Sequence, residues 1–421
     1  MKLEKTKPQS GRMIGKEGRI VDLEEMVDTV SHQLKRRKDK PISFARKATI
    51  CEMPESGYRL RLLSKDGAVY ASKGGTLQKS IDWGETWEVL ITPSQIFEGK
   101  INSVLKLDNG ELFIAVQDTA QGGTGMKIYR TDHQENGVVQ VHAFGAGQGF
   151  VYDEFGFTHF GDMIFASTYG AAPEVTEVVA WMSPDKGSTW NKIFSMPNIE
   201  QPNGKHHHLH DVRYDPYTNV VWVCAGDSVS YPHTNNFVHT NSFVYWSNDF
   251  GKTWTKAFGY RSTQVIPLPE STLFLSDEPE RIGAVRYDHS YLGVDGSNLE
   301  WDGKKNTEES WIAQRMPGQY DGFLWGTNAA IEYGENARAF FGFRNTPVNG
   351  LNYASPTVWG TNDGVRFNAV WTLGRLSTKK GLINEQGILG VFGPDKNNNL
   401  AVSLSADVGN GREFQLLKLE L

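Results

Sequence analysis

The sequence predicts an all-β chain built from repeated four-stranded units and preceded by one short helix. Three observations predict it. The 421 residues include 44 glycines and 12% aromatics, a glycine share above the roughly 7% of average proteins, which suits many short strands joined by tight turns. From Phe44 to the C-terminus, short apolar alternations recur between Gly, Asn and Asp turns with no helical periodicity. One octapeptide pattern also returns along the chain: Ser80-Ile-Asp-Trp-Gly-Glu-Thr-Trp, Ser183-Pro-Asp-Lys-Gly-Ser-Thr-Trp and Ser247-Asn-Asp-Phe-Gly-Lys-Thr-Trp, with a decayed copy at Thr361-Asn-Asp-Gly-Val-Arg-Phe.

Composition excludes several classes. With 43 basic and 49 acidic residues, the net charge of −6 gives no general electrostatic attraction to nucleic acid or an anionic membrane, and neither is expected as a partner. Cys51 and Cys224 are far apart and lack a CxxC context, which removes zinc ribbons and disulfide scaffolds and leaves each as a small buried hydrophobe. The N-terminal MKLEKTKPQSGRMIGKEGR is charged without an apolar core, and no window approaches the roughly 20 apolar residues of a membrane span. The expectation is a soluble chain without a signal peptide.

Residues 1–42 read as an attachment arm and a short coiled-coil-like helix, and 43–421 as the repeat domain. Residues 1–18 are polar and aperiodic. In the following IVDLEEMVDTVSHQLKRRKDK, Leu23, Val27, Val30 and Leu34 carry the a/d spacing of a coiled coil. Asp22 can cap the start, Glu24 and Glu25 occupy the first turn, and Lys35, Arg36, Arg37 and Lys38 suit the C-terminal dipole before Pro41 stops the helix. So short a helix with so narrow a stripe needs self-association or docking on a partner. The alternative is a helix packed on its own domain.

The repeat SxDxGxTW has a local physical logic. Asp82, Asp185 and Asp249 can accept backbone N–H bonds within the turn; Gly84, Gly187 and Gly251 allow a left-handed residue; Trp87, Trp190 and Trp254 can pack between neighbouring sheets. The motif resembles the Asp-box (BNR) repeat of sialidases and related β-propellers. That resemblance implies a propeller whose boxes join the third and fourth strands of a blade, on the rim away from the ligand face. At about 50–60 residues per blade, the first and last intervals between boxes each hide a blade without one. INSVLKL, ELFIAVQ, MKIYR and VVQVHAF supply the first at 101–144; TQVIPLP, TLFLSDE, IGAVRYD and a strand near Trp301 or Trp311 supply the second at 263–316. GILGVFG, LAVSLSA and FQLLKLEL leave the last blade one strand short, and RKATICEM, before the first blade, can complete it. Seven blades result, with six as the alternative.

In such a propeller the loops entering the innermost strands, and those between second and third strands, form the ligand face. The loops expected there combine Asn, Asp, Tyr, His and Gly, the chemistry a sugar surface needs. The candidate ligand-binding residues are His206, His208, His210, Asp227, Tyr231, Tyr169, Asp277, Arg281 and Arg344. In Lys205-His-His-His-Leu-His-Asp, period-2 alternation puts His206, His208 and His210 on one face and His207, Leu209 and Asp211 on the other. Three imidazoles near the axis are candidates for a divalent metal, although the convergent fourth ligand is not visible in the sequence. Polar axis-lining histidines bonded to water or ligand are the other reading, and no cofactor is expected.

A sialidase would need an arginine triad, a Tyr–Glu nucleophile pair and an acid Asp. Arg281 and Arg344, and Tyr169 or Tyr287 with Glu174 or Glu280, can be nominated, but nothing in the spacing singles them out. Tyr58-Arg59-Leu60-Arg61 stands where the resembling enzymes carry Arg-Ile-Pro, without the proline. No catalytic residue is assigned. GxSxG, P-loop and HExxH patterns are absent, and Gly145-Ala-Gly-Gln-Gly is not followed by a helix, as a phosphate loop requires.

In plan, a short arm containing GRMIGKEGRIVDLEEMV, a coiled-coil-like helix and an Asp-box propeller resemble the tail receptor-binding proteins of bacteriophages. The resemblance implies a non-enzymatic, homotrimeric adhesin of the virion. Its N-terminal segment would dock on tail or baseplate proteins, and its propeller heads would bind a host wall glycan such as teichoic acid or polysaccharide. Trimerisation would add avidity to weak glycan sites. A sialidase-like glycoside hydrolase or depolymerase is the alternative, and a cytoplasmic propeller scaffold a third.

Overall fold

The computed structural model describes residues 12–14, 20–22, 42, 44–96, 99–118, 125–152, 155–170, 174–198, 207–226, 242–259, 261–278, 284–289, 311–314, 323–326, 328–334, 336–346, 357–372, 386–408 and 411–421. They form seven consecutive four-stranded antiparallel units around one axis. Blade one is Arg59–Leu63, Val69–Lys73, Thr76–Ser80 and Glu88–Ile91. Blade two is Lys100–Lys106, Leu112–Asp118, Gly125–Arg130 and Val139–Ala143. Blade three is Phe157–Phe160, Met163–Ser167, Glu177–Ser183 and Asn191–Pro197. Blade four is His208–Asp215, Val220–Gly226, Phe243–Ser247 and Thr255–Gly259. Blade five is Ser262–Pro267, Ser271–Glu278, Ala284–Asp288 and Trp311–Gln314. Blade six is Ala330–Glu332, Arg338–Phe341, Thr357–Thr361 and Asn368–Thr372. Blade seven takes Gln386–Phe392, Asn399–Val408 and Gly411–Glu420 from the C-terminus and Lys47–Cys51 from the other end of the chain.

Packing fixes the count at seven. Central strands alternate apolar side chains to both faces, because successive strand residues point to opposite sides. In Val220–Gly226, Val221, Val223 and Ala225 pack on blade three, while Val220, Trp222 and Cys224 pack on blade five. Seven apolar clusters result, one at each interface, and the last joins Leu60, Leu63 and Val69 of blade one to Phe392, Ala401 and Leu416 of blade seven. The closing ladder runs from Lys47 opposite Glu420 to Cys51 opposite Leu416. Arg46 Nη2 donates to the Leu421 carbonyl at 2.7 Å. The sequence expectation that RKATICEM completes the last blade is met, and six blades are excluded.

The octapeptide forms the same turn three times, between the third and fourth strands of blades one, three and four. In blade one Gly84 N donates to Ser80 Oγ at 2.8 Å, and Thr86 donates through its backbone N and its Oγ1 to the Asp82 carboxylate at 2.9 and 2.6 Å. The equivalent bonds tie Ser183, Asp185, Gly187 and Thr189, and Ser247, Asp249, Gly251 and Thr253. Thr361 and Asp363 repeat part of it in blade six. Each turn abuts the preceding blade. Trp87 Nε1 donates to the Glu52 carbonyl and Trp254 Nε1 to that of Ile193, while Trp190 stacks on His142.

Two features were not anticipated. A strand at Phe323–Gly326 pairs with the end of Ser271–Glu278 and with Phe343–Thr346, which reaches Gln386–Phe392. Blades five and seven thereby join in one continuous sheet, through Phe343–Thr346, which follows directly on the second strand of blade six. Near the N-terminus, Arg12–Ile14 pairs antiparallel with Ile20–Asp22. The expected helix through Leu23, Val27, Val30 and Leu34 lies outside the described residues.

Candidate functional site

The inner strands define the axis, and a repeated irregularity sets their chemistry. In blades one, two, four, five and seven the pairing of first and second strands slips by one residue near the start of the strand, around Arg61, Asn102, His210, Thr263 and Leu389. A bulge inserts an unpaired residue and re-aims its side chain. Three of these side chains reach the next blade. Arg61 donates to the carbonyls of Asn102 and Ile101 at 2.7 and 3.1 Å, Asn102 Nδ2 to that of Val151 at 2.8 Å, and His210 Nδ1 to that of Ser262 at 2.8 Å.

The bulge also corrects the expected alternation in blade four. Leu209 packs into the core with blade three, whereas Asp211 turns to blade five, its Oδ2 accepting from Val265 N at 3.0 Å. Leu209 and Asp211 therefore do not share a face.

His208 Nε2 lies 2.8 Å from His210 Nε2. A carbonyl only accepts, so His210 carries a proton on Nδ1. A single proton then occupies the Nε2–Nε2 contact, and at least one of the two buried rings is neutral. The contact is a hydrogen bond, shorter than the about 3.3 Å between two ligands of a tetrahedral zinc. Among the described residues no group of three or more His, Cys, Asp or Glu gathers as a metal site. His206 lies outside them.

Tyr169, just past the second strand of blade three, joins this pair with ring centroids 4.0 Å from His208 and 6.5 Å from His210. Tyr152 packs on Tyr169 at 4.7 Å and on Phe155 at 5.2 Å. Phe155 in turn meets His210 edge-on at 5.7 Å. The structure thus brings together three of the nine candidates, Tyr169, His208 and His210. Asp277 and Arg344 occupy one lateral row of the bridging sheet, each opposite Trp325. Asp227, Tyr231 and Arg281 lie outside the described residues. Tyr287, one nominee for a nucleophile, is buried between blades four and five against Trp222, and burial pushes its hydroxyl pKa up.

At the box end side chains of three blades meet near the axis. Phe160 of blade three meets Tyr333, beyond the inner strand of blade six, edge-on at 5.1 Å. Arg213 of blade four hydrogen-bonds Tyr333, and burial of its guanidinium is outweighed by Asp211 and Tyr333, which hold it charged. Sequence reasoning missed this cluster and Asn102, and met Arg61 only within Tyr58-Arg59-Leu60-Arg61, without the role seen here. Nothing in the local pattern marks them, because each acts through a residue distant in sequence.

No protein-family profile matches the chain, and no curated protein matches it in sequence. Solved structures do. A GH74 enzyme from Niastella koreensis superposes with a TM-score of 0.55 at 13% identity, over 89% of this chain and 54% of its own. What is shared is the propeller fold. The chain spans about half the length of that enzyme. Ycf48 from Cyanidioschyzon merolae aligns at a TM-score of 0.49 with 11% identity, covering 89% and 98% of the two chains. A periplasmic gluconolactonase from Pseudomonas aeruginosa aligns at 0.45 with 12% identity, covering 86% and 96%.

Proposed function

We propose that this propeller is a non-enzymatic adhesin, the receptor-binding protein of a phage tail, and that it recognises a host wall glycan on the face opposite its boxes. The observation that carries the reading is the contrast between the two ends of the axis. At the box end the turns of blades one, three, four and six are short and internally bonded, and Phe160 and Arg213 meet Tyr333 from blades facing each other across the axis. At the opposite end the second strand of blade four ends at Gly226 and its inner strand begins at His208, and there Tyr169, His208 and His210 come together. Catalysis is less well supported. Described carboxylates near the inner strands are tied to partners: Asp118 to Lys127 at 2.8 Å, Asp211 to Arg213 at 3.2 Å, and Asp215 to Thr272 Oγ1 at 2.7 Å. The reading needs no cofactor, nucleic acid or membrane.

Incubation of the purified protein with a panel of bacterial cell walls tests it. Saturable binding without release of reducing ends or phosphate is expected. Catalytic release would replace the adhesin with a glycoside hydrolase or depolymerase, and no affinity for any wall would favour a scaffold. We further propose that the N-terminal segment trimerises the chain and docks it on the tail of the virion. Light scattering of the full chain should give a trimer, and a chain starting at Ser43 a monomer; two monomers would end that proposal.

A further inference from the structure

We propose that Phe150, Tyr152 and Tyr169 form a stacking platform for a neutral pyranose ring at the lip of blade three. The inference rests on the glycan-binding reading above and narrows its ligand from wall polymers in general to a glycosyl residue.

The rings form one contact chain whose members differ in burial. Phe155, His208 and His210 are buried, whereas Phe150, Tyr152 and Tyr169 are half-buried. Tyr169 touches both neighbours, at 4.7 Å to Tyr152 and 6.1 Å to Phe150. The backbone holds the half-buried rings still. Phe150 and Tyr169 exchange both backbone hydrogen bonds, at 3.1 and 2.6 Å. Gly149, at φ +77°, lies so close to the Tyr169 carbonyl that a Cβ would overlap it. Gln148 braces the turn, accepting from Gly145 N at 3.0 Å and donating to Glu177 Oε1 at 2.8 Å. The glycine-rich run 145–149 is therefore a tight turn that presses Phe150 against Tyr169.

The chemistry selects the ligand. A pyranose has a face of C–H groups that suits the negative face of an aromatic ring. A polyol phosphate has no such face and needs cations. The nearest imidazoles, His208 and His210, cannot both be charged. The inner-strand arginines are engaged elsewhere, Arg59 over the Phe414 ring, Arg61 with backbone carbonyls and Arg213 with Asp211.

Saturation-transfer NMR on the full chain tests this with methyl glycosides of glucose, galactose, mannose, rhamnose, N-acetylglucosamine and N-acetylgalactosamine, and with glycerol 3-phosphate. Transfer to the ring C–H protons of at least one glycoside is expected, with none to glycerol 3-phosphate. Tyr152→Ala should reduce the transfer about fivefold or more, while Tyr152→Phe, which keeps the ring, should retain it within about twofold. Thermal melts matching the native chain certify that the variants are folded. Transfer from no glycoside, transfer undiminished in Tyr152→Ala and Tyr169→Ala, or transfer to glycerol 3-phosphate alone would overturn the platform. Failure of the adhesin reading is distinguishable: wall binding undiminished in both alanine variants removes the platform alone, whereas glycoside transfer lost in Tyr152→Ala without wall binding by the native chain keeps the platform and removes the adhesin.

Discussion

His210 Nδ1 donates to the carbonyl of Ser262 at 2.8 Å, so one imidazole joins the bulged inner strand of blade four to the start of blade five. Such a buried bond is costly to break because it leaves the carbonyl unsatisfied. His210→Ala should therefore destabilise the chain by about 2–4 kcal/mol, combining the lost bond with the cavity left by the ring. His210→Asn can place an amide N–H where Nδ1 stood and should recover about 1 kcal/mol of that loss. Urea titration of the two variants decides it. Equal midpoints would show that the ring acts only by filling space.

A second pair of variants separates backbone conformation from close packing. Gly187 has φ +75° and faces the Phe113 ring of blade two, where a Cβ would overlap it; Gly74 has φ +56° and open space. Gly74→Ala should cost about 1 kcal/mol, for the left-handed conformation alone. Gly187→Ala should cost about 2–4 kcal/mol, because overpacking adds to it. Equal losses in chemical denaturation would mean that Phe113 gives way freely and that the turn needs the box glycine only for its φ.

Most of the architecture was legible in the sequence, for reasons visible in these same residues. Box turns are local, so Ser80, Ser183 and Ser247 announce where third strands end, and strands such as Val220–Gly226 advertise themselves by apolar residues on both faces. Even the closing strand could be found, because three C-terminal strands needed a fourth. The bulges could not. Period-2 reading assumes unbroken register, so one inserted residue at His210 was enough to send Leu209 and Asp211 to opposite faces. The bridging strand Phe323–Gly326 was equally hidden, because its partners lie in two other blades and pairing at that distance leaves no local mark. Alternation groups His208 and His210 with His206 on one face, but the burial and shared proton of His208 and His210 follow from Ser262 and Tyr169, which no spacing rule connects to them.

The box carboxylate sets a pH-dependent prediction. Hydrogen bonds from Thr86, through its side chain and then its backbone, and from Ser80 lower the Asp82 pKa from 3.8 to about 2. A depressed carboxylate contributes stability above its unfolded pKa and loses it as pH falls through the folded value. The blade-one turn should therefore stay intact down to pH 3.8 and loosen between there and about 2. The carboxyl carbon of Asp82, followed by NMR, should titrate near 2, and Thr86→Val should move the midpoint back toward 3.8. A native midpoint at 3.8 would mean that the two threonine bonds do not form in solution.

Ring closure by the N-terminal strand gives the last prediction. Removing Lys47–Cys51 exposes the ladder edge of Gly411–Glu420, deprives the Leu421 carbonyl of Arg46, and removes the Glu52 carbonyl that receives Trp87. An open apolar edge of that kind invites intermolecular pairing. A chain starting at Ser43 should melt as one cooperative transition, whereas one starting at Met53 should melt roughly 10 °C lower or aggregate, because several kcal/mol of interface are lost from a domain of this size. A synthetic peptide spanning residues 43–52, added in excess, should restore the higher transition by binding only the folded ring. If the shorter chain melts with the longer one, the ring is held by its seven apolar interfaces alone, and the terminal strand is an ornament on blade seven.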